Sequence, residues 1–111
     1  MLYRLGARAQ YVESVAQYRT AIQLAPEDVE SYLGLGAVLQ KAGQLEDAEA
    51  ALKDGLEQAP RDARLHYQLG LVYIAMNDRD RARTFLDTAL DECGDNRALR
   101  TAIQTALDSI K

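Results

Sequence analysis

A chain of 111 residues can bury one modest core, and 48% apolar with 27% charged side chains is the composition of a folded, water-facing domain. Its net charge of −4 lacks the surplus of Lys and Arg on which non-specific nucleic-acid binding draws. One cysteine excludes an internal disulfide framework, the start MLYRLGARAQ lacks the apolar run of a secretion signal, and no stretch reaches the ~20 apolar residues that span a bilayer. The expectation is a soluble chain, cytoplasmic by default, with a periplasmic address open if a signal was removed ahead of position 1.

Displaced against itself by 34 positions, the sequence falls into register. Pro26 lands on Pro60, Leu35-Gly36 on Leu69-Gly70, Ala48 on Ala82, Leu52 on Leu86 and Leu56 on Leu90. Ala21, Gly55 and Ala89, all small, share another position. Asp28, Asp62 and Asn96 share a third, and all three suit a helix N-cap.

The first period is incomplete. Met1 and Leu5 stand in a short A helix, followed by Tyr11, Tyr18, Ala21 and Ile22 in a second helix that Pro26 stops. In the next period Tyr32, Leu35, Gly36 and Leu39 follow Asp28 at i, i+3, i+4, i+7, one face of an A helix. Gly43 breaks it, and Leu45, Ala48, Leu52, Gly55, Leu56 and Ala59 stripe a B helix ended by Pro60. His66, Leu69, Gly70 and Tyr73 repeat the A face, Asn77 stands in register with Gly43, and Ala82 and Leu86 repeat the B face. Gly36 and Gly70 are expected to face Ala48 and Ala82 at a close helix contact, with Leu35, Leu52, Leu69 and Leu86 filling the flanks. From Asn96 one more helix puts Leu99, Ile103, Leu107 and Ile110 on one side. Arg97, Arg100, Gln104, Asp108 and Lys111 lie on the other, the polar outer face that closes a stack.

The run Tyr32-x2-Leu35-Gly36-x2-Leu39, Ala48-x3-Leu52, Pro60, repeated as His66-x2-Leu69-Gly70-x2-Tyr73, Ala82-x3-Leu86, resembles the tetratricopeptide repeat. The resemblance covers nearly the whole chain. It implies an all-α superhelix of about three hairpins, the first truncated, plus a C-terminal capping helix. As a single domain over 1–111, this divides into repeats at 1–28, 29–62 and 63–96 and a cap at 97–110. The sequence departs from the family in having Tyr32 and His66 at its tryptophan-like position, and Leu2 where Gly36 and Gly70 sit.

The resemblance also implies a scaffold and not an enzyme, gripping a peptide or amphipathic helix of another protein along the concave side lined by the A helices. Rotation from the buried stripe puts Glu30, Leu33, Gly34, Ala37, Gln40 and Lys41 on that side in the second repeat. In the third it puts Arg64, Tyr67, Gln68, Leu71, Ile74 and Ala75 there, with Tyr3, Gly6 and Ala7 extending the face. Leu33, Ala37, Tyr67, Leu71 and Ile74 would be exposed in an empty groove, which favours an occupied one; alternatively they pack against neighbouring A helices. A family subclass clamps chaperone carboxylates with Lys, Asn and Arg, but here Arg64 and Gln68 are the only polar members at the equivalent places.

Residues 26–60 hold eight acidic and two basic side chains, against one and three in residues 1–25 and eight of each in residues 61–111. The middle therefore mildly favours a basic partner segment, unless these charges only solvate helix faces. The other role weighed is a homodimer paired through an uncapped N-terminal end that includes Leu2, Leu5, Tyr11 and Tyr18. His66, the only histidine, is expected as a packed or half-buried ring, and Cys93 as a plain buried thiol. With no second histidine, no paired cysteine and no Gly-rich phosphate loop, neither metal nor cofactor is expected.

Overall fold

The computed structural model describes residues 2–111, with side chains described from residue 9 onward. Among them are six helices and no strand: α1 Leu2–Leu24, α2 Val29–Lys41, α3 Leu45–Gln58, α4 Ala63–Ala75, α5 Arg79–Glu92 and α6 Arg97–Ser109. Helices α2/α3 and α4/α5 are hairpins, stacked through a contact of α3 with α4, while α1 packs on α2 and α6 on α5.

The helix boundaries follow from side-chain chemistry. Asp28, Asp62 and Asn96 each precede a helix in extended backbone, and their side chains accept hydrogen bonds from the amides of Glu30, Arg64 and Leu99. These bonds satisfy amides that have no partner within the helix. The hairpin turns pass through Gly43 at φ 81° and Asn77 at φ 67°, left-handed positions that glycine and asparagine tolerate best.

The first period departs from expectation. In place of a short A helix and a B helix there is one helix of 23 residues. The break should fall at Ala9, which shares the register of Gly43 and Asn77. Alanine is the best helix former and costs about 1–2 kcal/mol in the left-handed region, so the helix runs on. The core roles expected of Met1 and of the Leu5 side chain lie outside the described residues, as does the side chain of Leu2.

Within each hairpin the close contact is real, but its partner differs from the expected alanine. A Cβ on Gly36 would lie 2.6 Å from Leu52 Cδ2, and one on Gly70 2.6 Å from Leu86 Cδ2. The B-helix leucines themselves sit in the glycine notches, both fully buried. Ala82 stands further off, its carbonyl oxygen 3.5 Å from the Gly70 position. Between hairpins Gly55 plays the same part, with a Cβ there 2.9 Å from Tyr32 Cβ and 3.0 Å from Leu65 Cδ2. Tyr32 is itself buried and donates its hydroxyl to the Pro26 carbonyl at 2.7 Å.

Polar clasps reinforce the stack at its edge. The Tyr73 hydroxyl donates to Glu49, which also pairs with Lys53 at 3.3 Å. The Tyr73 ring lies against Phe85 of α5, their centroids 5.2 Å apart. At the C-terminal end α6 and the two residues that follow it bury Ile103, Ala106 and Ile110, and expose Arg97, Arg100, Gln104, Asp108 and Lys111, the one-sided pattern a closing helix needs. No helix of the described residues is long and apolar enough to cross a membrane.

Candidate functional site

Helices α2 and α4 lie side by side, and a hollow of about 740 Å³ opens between them. Its lining gathers Glu30, Leu33, Gly34, Ala37, Arg64, Tyr67 and Gln68, seven residues expected on the concave face. The floor is apolar: Ala37 and Tyr67 are half-buried, and Leu33 is only 7% exposed. The exposure expected for Leu33 is therefore not found. Both α1 and α4 pack against α2, and Leu33 joins the apolar cluster between them.

The rest of the expected face is divided. Leu71 and Ile74, one and two turns further along α4, are half-buried against the core and stand outside this hollow. Lys41 borders a second hollow of about 630 Å³ with Gln10, Tyr11, Ser14 and Val38. Gln40 is half-buried and Ala75 exposed. Tyr3, Gly6 and Ala7 fall in the stretch of α1 whose side chains and burial are not described.

Tyr18 and Leu99 join the lining without having been expected there. By register Tyr18 matches Leu52, which fills a glycine notch in its own hairpin. With α1 running on as one helix, the Tyr18 ring instead covers Gly34 of α2, where a Cβ would stand 2.3 Å from Cε1. The signal was present in Gly34 itself, a glycine whose counterpart one period later is Gln68. Leu99 belongs to the apolar side of α6 and also borders the hollow.

One rim is charged. Arg64 Nε and Nη2 grip the two oxygens of Asp62 at 3.2 and 3.0 Å, and Nη1 reaches Glu30 Oε1 at 2.5 Å across the gap between α4 and α2. The bonds to Asp62, then Glu30, raise the Arg64 pKa beyond its ordinary value. Burial pushes the Asp62 carboxyl up, but hydrogen bonds from the Arg64 side chain and amide outweigh it and hold the group low. Asp28 stands beside them, its carboxylate accepting from Glu30 N at 3.2 Å and Ser31 Oγ at 3.1 Å. One turn along α4 from Arg64, Gln68 Oε1 is shielded and has no hydrogen-bond partner.

The two groups considered for chemistry are both packed into the structure. His66 is half-buried with its ring 5.8 Å from Phe85, and its Nδ1 lies 2.5 Å from Glu92 Oε1. Cys93 is buried, its thiol 3.2 Å from the Leu90 carbonyl.

Helical hairpins repeated at a fixed interval, with one side of their first helices left open, define a stacked-repeat scaffold. The profile of the tetratricopeptide repeat family matches residues 7–67 and again 41–106, and the chain belongs to this family. It is 30% identical over 100 residues to the TPR repeat-containing thioredoxin TTL4 of Arabidopsis thaliana, a stretch covering 90% of this chain but only 14% of that relative. Two solved structures share the fold. One is the type III secretion chaperone SycD of Yersinia enterocolitica in complex with a peptide of the translocator YopD, with TM-score 0.83, 19% identity, and 97% of this chain and 85% of that one covered. The other is the TPR2B domain of yeast Sti1 in complex with pHsp70, with TM-score 0.82, 22% identity, and 97% and 88% covered.

Proposed function

We propose that this chain is a protein-interaction adaptor that receives a peptide or helix of a partner protein in the hollow between α2 and α4. The observation that carries the reading is an open trough with an apolar floor of Leu33, Ala37, Tyr67 and Leu99 beneath a charged rim. Such a surface gains by being covered, and Tyr67 is the kind of aromatic anchor on which binding energy concentrates. The peptide complexes of SycD and Sti1, which share the fold, lend support. Ala37→Glu puts a charge on the floor at a half-buried position without removing a core contact. Affinity capture from the source cells, followed by titration of the purified partner, should lose binding in this variant while circular dichroism and Tm stay near wild type. Retained binding removes the hollow from the reading.

Pairing of two copies through the N-terminal end is the second reading. Its support is the exposure of Val12 and Leu24 on α1, 58% and 82%. Twelve residues of helix turn these side chains about 120° apart, so the two do not form one patch. A monomeric mass by light scattering at high concentration rejects it.

A further inference from the structure

The charged rim of the hollow has a sign, and the sign selects among partners. Among the described residues Arg64 is the one cation at this rim, and its guanidinium is already engaged by both oxygens of Asp62 and by Glu30. A partner carboxylate would have to displace one of these acids and approach the others, with Asp28 adjacent. A partner ammonium or guanidinium meets the opposite situation. Glu30 engages Arg64 through Oε1 alone and keeps 71% of its side chain exposed. Asp28, Glu30 and Asp62 outnumber Arg64 by two charges, so a cation enters a negative field without breaking an existing pair. Lys41 does not offset this field. It lies eleven residues along α2 from Glu30, about 16 Å at the helical rise and beyond the ~10 Å over which exposed charges act in ordinary salt.

Resting on the reading of the hollow as the docking site, we propose that its occupant is a basic–apolar polypeptide segment. A Lys or Arg of the partner joins Glu30 beside Asp28 at the rim, and aliphatic side chains cross Ala37 and Tyr67 on the floor. An acidic segment of the same apolar content is disfavoured.

The test uses the whole chain and a random-peptide library displayed on phage. Wild type, Ala37→Glu, Glu30→Lys and Asp87→Lys are panned in parallel. The last carries the same charge reversal at an exposed acid of α5. Selected peptides are then titrated by fluorescence anisotropy at low salt, with folding checked by circular dichroism. Wild-type binders are expected to carry a surplus of Lys and Arg beside apolar residues and to be lost in Ala37→Glu. They should weaken ~10-fold or more in Glu30→Lys and less than ~2-fold in Asp87→Lys, since only the first charge touches them. Glu30→Gln, which keeps the side chain's shape, should weaken them by an intermediate factor and serves if Glu30→Lys does not fold. Binders that need Ala37 but are neutral or acidic, or that ignore both Glu30 variants, overturn the charge selection and leave the docking site standing. Binders indifferent to Ala37→Glu, or no enrichment at all, overturn both.

Discussion

Gly55 offers the sharpest test of how the hairpins lock together. A methyl group there would stand 2.9 Å from Tyr32 Cβ and 3.0 Å from Leu65 Cδ2, one neighbour on α2 and the other on α4. Tyr32 Cβ is fixed to its backbone and cannot rotate away, and Leu65 is fully buried. Relief therefore requires α3 to move off both neighbours at once. Overpacking costs about 1–3 kcal/mol, here toward the upper end because two constrained neighbours are met at once, and replacing a helical glycine by alanine returns about 1 kcal/mol. Gly55→Ala should be destabilised by about 1–2 kcal/mol, a fall in Tm on the order of 5–10 °C, read by urea titration and thermal circular dichroism. Gly34→Ala provides the contrast. Its methyl would meet Tyr18 Cε1 and Cζ at 2.3 and 2.4 Å, still closer, but these atoms are at the free end of a ring that can swing out. The helical gain then roughly offsets the lost ring contact, and Tm should stay within ~3 °C of wild type. A Gly55→Ala protein as stable as wild type, or a Gly34→Ala protein that loses more, would refute the claim that the mobility of the obstructing atom decides the outcome.

Other expectations follow from the caps and clasps. Asp62→Ala removes both the N-cap of α4 and the forked partner of Arg64 and should lower stability by about 1–2 kcal/mol in urea titration, with Asp62→Asn recovering most of the cap. Glu49 has its carboxyl held below the ordinary value, chiefly by the Tyr73 hydroxyl and then by Lys53. A depressed carboxyl stabilises the fold fully above its unfolded pKa of about 4.3, and this contribution fades as pH falls through the lower folded value. Glu49→Gln should accordingly be less stable than wild type at pH 7 in thermal melts, with the gap closing on acidification below about pH 4; a gap independent of pH would deny the clasp its ionic character.

The all-helical architecture was readable because two determinants are local. Period-spaced Asp28, Asp62 and Asn96 fix where helices begin, and Gly36 and Gly70 mark where A and B helices meet. Which residue fills a notch was not readable from spacing, since Ala48 and Leu52 lie one turn apart on the same stripe and only the rise and tilt of the packed helices choose Leu52. The candidate site divides in the same way. Rotation from the buried stripe collects Glu30, Ala37, Arg64, Tyr67 and Gln68, because one helix face is a property of one helix. The burial of Leu33 and the arrival of Tyr18 and Leu99 depend on neighbouring helices. Tyr18 in particular hinges on Ala9, where helix propensity overrides the repeat pattern and withholds the turn.

The unbroken α1 has a consequence for how the array comes apart. In a stack that coheres through nearest neighbours, each hairpin is held by its own second helix and by the units beside it. Among the described residues α1 has no such companion, and α2 alone approaches its backbone. Among the described residues α1 is tethered through one interface, so its release is a low-cost sub-global opening. Amide protons of α1 should exchange with deuterium well ahead of those in α4 and α5, giving the chain a gradient of protection that begins at one end and deepens toward the middle.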